Sequence, residues 1–573
     1  MTGPGCVTPG RSGRPRPKSR PALPARRPDA RRHRWPGRRG QHVAALATRR
    51  LCYRRPARRC RSSALRSMRI SGRADRPRRR EPLPGRVPAA IVPRRAGHRF
   101  PPARCHSSAP RRWACRSSQQ EMEEATMARD PYSTNNDELA QGKDRVYPPW
   151  WKEDEVHRAR AADQVSGIVR ALGGTDVVGV ASQRHDAERG PVEFEATKSD
   201  DFGDMAYLFR KERILVRDTD LGRVREVLPD TKIAPDGIDG LTTLVLPSGW
   251  STLETLDRVD KALGAGVVYP DHVVHVTIQG AGACPATEPL PTSATDPFPT
   301  VETDPECSGI GIEVAVVDTG FDPKLAGATP WLQGVDGEAE RYDPSALGPY
   351  AGHGTFAAGV LRARAPKCGV FVHSFLPNGG AIFESDIIAA LRRALARYPD
   401  VVSMSAGTFS RGDLGMLGFR VLWEKFAPKG CVLVAAAGNN GTRKPFFPAA
   451  DTYAVGVGAL DADGRLAAYS NRGRWVDCFA LGSEHVNAFP KGRYVYEQAP
   501  LSGTDADFTT GTALWSGTSF ATPLVAGVIT ARMTWSGENG QQAAQAVLAQ
   551  ARANARVGIG AVVEPRMGHR SGA

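Results

Sequence analysis

Cys431-Val432-Leu433-Val434-Ala435-Ala436-Ala437-Gly438-Asn439 is a run of seven apolar residues closed by glycine and asparagine. The run is short for a helix and shows no apolar–polar alternation, so it predicts a strand covered on both faces. Gly-Asn is turn chemistry; it ends the strand and leaves an amide side chain just beyond it. Runs of the same texture lie at 313–317, 370–376, 401–404 and 453–457, with helical patterns between several of them, notably 384–397 and 414–426. Doubly buried strands with intervening helices indicate an α/β fold, a mostly parallel sheet with helices on both faces. In open sheets of this kind, ligands bind beyond the carboxyl ends of the strands.

Outward from that core the chain of 573 residues changes character several times. Its length suits two or three domains. The formal charge of +17 belongs to the start of the chain. Residues 1–126 hold 33 Arg and one Lys against six acidic residues, and the remainder carries a net negative charge. With 17 prolines and no apolar periodicity, 1–126 reads as a disordered basic tail. Three readings compete for it: a nucleic-acid-binding arm, an Arg-rich, acid-poor transit-like segment, and sequence upstream of a true start at Met122 or Met127. The extreme Arg-over-Lys bias favours the third, so nucleic acid is not an expected partner. Residues 127–204 read as a polar region, partly helical around 153–172. From 205 to 280, strand-helix-strand-helix-strand patterning predicts a small ferredoxin-like α+β unit. A Pro/Thr/acid-rich linker at 281–308 follows, then the α/β domain at 309–560. Cys284 and Cys307 flank the linker and are near enough to pair in an oxidising compartment, whereas Cys368, Cys431 and Cys478 read as buried thiols. No apolar run is long enough to cross a bilayer. No secretory h-region is visible, which points to the cytoplasm, with secretion as the second reading.

Four polar positions fall at strand ends or helix starts. Asp318 closes Val316-Val317-Asp318-Thr319-Gly320, and His353 sits in Gly352-His353-Gly354-Thr355 before an apolar helical segment. Asn439 follows the opening run, and Ser519 lies in Gly517-Thr518-Ser519-Phe520-Ala521-Thr522-Pro523 at a helix start. Singly, each has an ordinary explanation as a cap or turn residue. Together they supply the parts of acyl transfer. A serine hydroxyl needs an imidazole to take its proton, and the imidazole needs a carboxylate to fix its tautomer. A tetrahedral oxyanion needs donors, which an Asn amide and a helix-start N–H provide.

The order Asp318, His353, Ser519, and the four motifs around them, resemble the subtilisin-like serine peptidases (subtilases). The resemblance covers about 309–560 and implies a serine endopeptidase working through an acyl-enzyme. Asp318 would orient His353, His353 would act as general base and then acid, Ser519 would be the nucleophile, and Asn439 would donate to the oxyanion. Ser405, Ala406 and Gly407 resemble the family's substrate-pairing strand, with Ala436 and Gly438 on the other wall of the pocket. Phe356 stands where the family usually has a second histidine. The stretch after Asp318, FDPKLAGATPW, lacks the usual HPDL segment that supplies a calcium ligand, which leaves calcium open but not expected; no cofactor is expected. Asp461, Asp463, Asp505 and Asp507 read as solvated loop residues. The 205–280 unit resembles the inhibitory propeptides of many subtilases, which implies cleavage in or near 281–308.

The alternatives differ in class. A catalytically inactive binding module would keep this fold without turnover. An aspartic protease needs a second DTG or DSG, which is lacking, and a sedolisin-type peptidase has Glu where His353 stands. Polypeptide substrates are the implied partners, with no membrane partner; the sequence does not speak to oligomeric state.

Overall fold

The computed structural model describes residues 154–569 apart from 187–189, 195–204, 236, 277–287, 294–295, 328 and 377–379. The basic tail and Cys284 lie outside the described residues. The first stretch folds as helix α1 (Asp154–Ala171), strands β1 (Val178–Asp186), β2 (Gly190–Phe194) and β3 (Met205–Arg217), helix α2 (Leu221–Val227), strands β4 (Lys232–Ile233) and β5 (Leu241–Val245), helix α3 (Thr252–Leu263) and strand β6 (Val268–Val276). β3 is the hub. Its first half pairs antiparallel with β1 and its second half with β5, while β6 runs along its other edge. The change of partner falls near Glu212, whose φ of 57° breaks the strand's regular course.

Helix α3 forms because Leu253, Leu256 and Val259 share one face and Ser251 caps its first turn, accepting a bond from the Glu254 amide. That face and Val224 of α2 cover Phe209, Ile214, Val216 and Leu244 on one side of the sheet. Strands β1 and β2, drawn from the region read as polar, extend this sheet beyond the unit expected at 205–280. They give a weak signal because large apolar residues are few in VGVASQRHD and GPVEF. Val178 and Val180 pack on Val165, Ile168 and Val169 of α1.

The rest of the chain comprises β7 (Leu290–Pro291), β8 (Glu313–Asp318), β9 (Val335–Gly337), α4 (His353–Arg364), β10 (Gly369–Ser374), β11 (Ala381–Phe383), α5 (Glu384–Leu395), β12 (Val401–Met404), β13 (Ala406–Gly407) and α6 (Leu417–Phe426). Strands β14 (Val432–Ala436), β15 (Ala454–Leu460), β16 (Cys478–Leu481), β17 (His485–Ala488), β18 (Gly492–Val495), β19 (Asp505–Phe508) and β20 (Thr512–Trp515) precede helices α7 (Thr518–Ser536) and α8 (Gly540–Ala553). Seven strands form a parallel sheet in the order β16-β15-β14-β12-β8-β10-β9. β8 shows why the strands lack polar alternation. Val314 and Val316 face a core with α4, α7 and α8, while Ala315 and Val317 face another with α5 and α6. This is the doubly covered α/β architecture that the apolar runs predict.

The described part of 281–308 is docked rather than free. Leu290 of β7 pairs with Leu514 of β20, and buried Glu288 accepts bonds from the Glu497 and Gln498 amides. These anchors are long-range, so a linker composition gave no hint of them. The first sheet also continues into the second half of the chain: β6 pairs antiparallel with both β11 and β13.

Candidate active site

Strand β8 delivers Asp318, fully buried, to the carboxyl edge of the parallel sheet. Its Oδ1 accepts bonds from the Thr319 amide at 2.8 Å and from His353 Nδ1 at 2.7 Å. His353 is the first residue of α4, and Gly352 before it has φ of 77°, a left-handed conformation that suits glycine. A side chain there would also collide with Pro490 and Phe489. The imidazole is walled by Trp515, edge-on at 5.1 Å, and by Phe520 at 5.3 Å. Phe356, at the position where a second histidine was the expected pattern, packs on the same Phe520 at 4.5 Å.

Ser519 lies in the first turn of α7, where the Phe520 amide closes on the carbonyl of the N-cap Gly517. Asn439 follows β14, and its Oδ1 accepts from both the amide and the hydroxyl of Thr518, each at 2.9 Å. Pinning that oxygen orients the amide, and Nδ2 lies close beside Gly517. Asn439, His353 and Ser519 line one small cavity of about 30 Å³. No hydrogen bond joins the Ser519 and His353 side chains among the described residues; such bonds commonly tighten only when substrate docks.

The register of β12 on β14, with Met404 opposite Ala435, brings 405–407 and 436–438 to the same end of neighbouring strands. Ser405 Oγ donates to the Ser519 carbonyl at 3.0 Å, tying that wall to the serine's helix. Gly438 has φ of 95°. The edge at Ala406 and Gly407 is already paired, with Val276 and His275 of β6. Val276 and Gln164 of α1 line the cavity with Ser519. Helix α1 is held there by Gln164 Nε2 on Gln498 Oε1 at 2.8 Å and by Asp163 accepting from the Ala499 amide.

Sequence reasoning did not find Gln164, nor Glu340, whose Oε1 accepts from Thr319 Oγ1 at 2.7 Å and from the Gly352 amide at 2.8 Å. Glu340 therefore joins the turn after Asp318 to the turn before His353. It lies in a stretch with no motif, and nothing local marks it. Of the four aspartates expected in loops, Asp505 and Asp507 instead lie in β19, paired with β18, and Asp505 also meets Arg493; Asp463 pairs with Arg465 and Asp461 accepts from Ser483. Cys307, Cys368, Cys431 and Cys478 are buried free thiols.

Among the described residues, no helix is long and apolar enough to cross a membrane. The sequence model of the subtilase family (peptidase S8) matches residues 309–562. A thermophilic serine proteinase of Bacillus sp. (strain AK1) is 33% identical over 250 residues, 41% of this chain and 55% of that protein. Subtilisin E of Bacillus subtilis (strain 168) is 29% identical over 249 residues, 40% of this chain and 58% of that protein. The chain thus spans little more than half the length of these two. Thermitase of Thermoactinomyces vulgaris is 31% identical over 235 residues, 38% of this chain and 74% of that protein. With that match over most of thermitase, the family model over the α/β domain and the parallel-sheet fold, this chain belongs to the subtilase family of serine peptidases.

Proposed function

We propose that the chain is a serine endopeptidase that hydrolyses polypeptides and is made as a self-inhibited precursor. His353, held by Asp318, takes the Ser519 proton as Oγ attacks the scissile carbonyl, then returns it to the leaving amine. Water attacks the resulting acyl-enzyme with His353 again as base. Asn439 Nδ2 and the Ser519 amide stabilise the oxyanion, aided by the positive end of α7. The single observation that carries the reading is the 2.7 Å Asp318–His353 bond at the cavity that Ser519 and Asn439 share.

Self-inhibition rests on the pairing of β6 with β13. An extended substrate would add to that strand edge through main-chain bonds, and the chain's own residues 275 and 276 hold it. Fluorophosphonate labelling of processed protein tests the chemistry. Label at Ser519 that disappears in His353→Ala is the expected result. Folded, processed protein that takes no label would overturn turnover and leave an inactive binding module on this fold.

A further inference from the structure

Far from any motif, two ends of the α/β domain meet at a mixed set of donors. Asp304-Pro305-Glu306-Cys307 forms a single 3-10 turn, and side chains three apart on such a turn eclipse. Asp304 Oδ2 accordingly lies 3.9 Å from Cys307 Sγ. The turn Pro565–Gly568 delivers His569 to the same place, so that a carboxylate oxygen, the sulfur and a ring nitrogen all lie within 4.8 Å of one another. Ligands on a tetrahedral zinc stand roughly 3.3–3.8 Å apart, given bonds of about 2.0–2.3 Å. Closing onto an ion therefore takes about 1 Å of side-chain movement.

The surroundings are built to hold these donors. Glu302 Oε2 bonds His569 Nε2 at 2.7 Å, the kind of carboxylate–imidazole contact that orients a ligating histidine. The other oxygen of Glu302 accepts from the Thr303 and Asp304 amides, which fixes the backbone of the ligand turn. Asp304 Oδ1 is engaged by the Glu306 amide, so Oδ2 is the oxygen turned toward the sulfur. The turn is anchored on both sides, by Glu302 N on the Ala363 carbonyl and by Gly309 N on Thr534 Oγ1. Cys307 is fully buried and not in a disulfide. Asp304 and His569 also border an open groove, which gives an ion a route in and a solvent ligand.

We propose that Asp304, Cys307 and His569 bind a zinc-type divalent cation that staples the segment entering the α/β domain to the segment leaving it. A thiolate, an imidazole and a carboxylate form a donor set for zinc rather than for calcium or magnesium, which take oxygen ligands. Cys307 loses its proton to solvent as the sulfur–metal bond forms. The fourth position falls to water. The staple would also steady the far end of the serine's helix, because Trp535 Nε1 of α7 donates to the Gly568 carbonyl at 2.6 Å.

Cobalt(II) titration of the metal-free full chain, in a Ser519→Ala background, reads the site directly. Tetrahedral thiolate ligation gives a near-ultraviolet sulfur-to-cobalt charge-transfer band. The expected result is a saturable band that zinc displaces and that Cys307→Ser and His569→Ala each lose or reduce. A wild-type chain with no band, or a band of equal strength in both variants, overturns the site. Melting with and without zinc guards against misfolded variants. Zinc should raise the Tm of the wild-type chain above its value in chelator by about 3 °C or more and leave both variants unmoved; an unmoved wild-type Tm counts against the staple.

Discussion

Glu340 ties the turn after Asp318 to the turn before His353 through a single carboxylate oxygen. Burial pushes its carboxyl up to about 8, against the opposing bonds from Thr319 and Gly352, and the charges of Asp318 and Asp322 push the same way. A carboxyl whose folded pKa exceeds its unfolded value holds extra protons when folded. Its contribution to stability is therefore lost as pH rises from the ordinary carboxyl range through about 8. Glu340→Gln keeps an acceptor and cannot ionise. In melts between about pH 5 and pH 9 in a Ser519→Ala background, stability should fall more steeply on the alkaline side with Glu340 present than in the Glu340→Gln variant; parallel curves would refute the assignment. Glu340→Ala, which unties both turns, should lower kcat of processed enzyme about 10-fold with KM little changed. Asn439→Ala should cost far more, about 10²–10³ in kcat, a magnitude taken from subtilisin's own asparagine donor. An unchanged kcat would remove Asn439 from the oxyanion site.

Helix α5 illustrates an element completed by a distant one. Its first turn meets Asp271 of β6, which accepts from the Ser385 amide at 2.8 Å and from the Ser385 hydroxyl at 2.7 Å. Beside it His272 Nδ1 meets Glu384 Oε2 at 2.8 Å, fully buried, and Glu384 Oε1 accepts from the Gly418 amide in α6. Asp271→Ala leaves two buried donors without their acceptor, a cost of about 1–3 kcal/mol. Asp271→Asn retains one acceptor and should recover part of it; denaturant unfolding of Ser519→Ala protein measures both, and equal stabilities would show that the cap contributes nothing. No spacing in the sequence pairs Asp271 with Ser385, or Thr319 with Glu340, because such bonds depend on how elements pack. What was legible is local. Continuous apolar runs such as 431–437 announce doubly buried strands. Gly352 beside His353 and Gly438 beside Asn439 mark turns whose backbone limits the neighbouring residue. β1 and β2 escaped notice because their sequences, VGVASQRHD and GPVEF, hold few large apolar residues among polar and small ones.

At the scale of the molecule, one strand carries the first sheet onto segments of the α/β domain. β6 lies between β3 on one edge and β11 with β13 on the other. Around it Arg217 grips Glu424 through two bonds, Lys425 meets Asp239, and Arg411 spans Asp257 and Asp260. On the other side of the cavity α1 is tied to residues 498 and 499. Val273 of β6 and the apolar face of α1 share one core cluster, so the two elements hold their places together, and breaking the chain between Val276 and Glu288 would not by itself release them. Wild-type protein should therefore convert into two fragments broken in that interval, which still co-elute in gel filtration, whereas Ser519→Ala stays whole. Raised salt should hasten the onset of activity, because the exposed pairs around β6 are the screened ones. The strand is tethered at its own active site, so the break should be first-order, with a rate that dilution leaves unchanged. A rate that falls in proportion to dilution would mean that one molecule cuts another. Equal cutting of Ser519→Ala would mean that a different peptidase does the work, and the paired strand would then be a structural seam instead of an inhibitor.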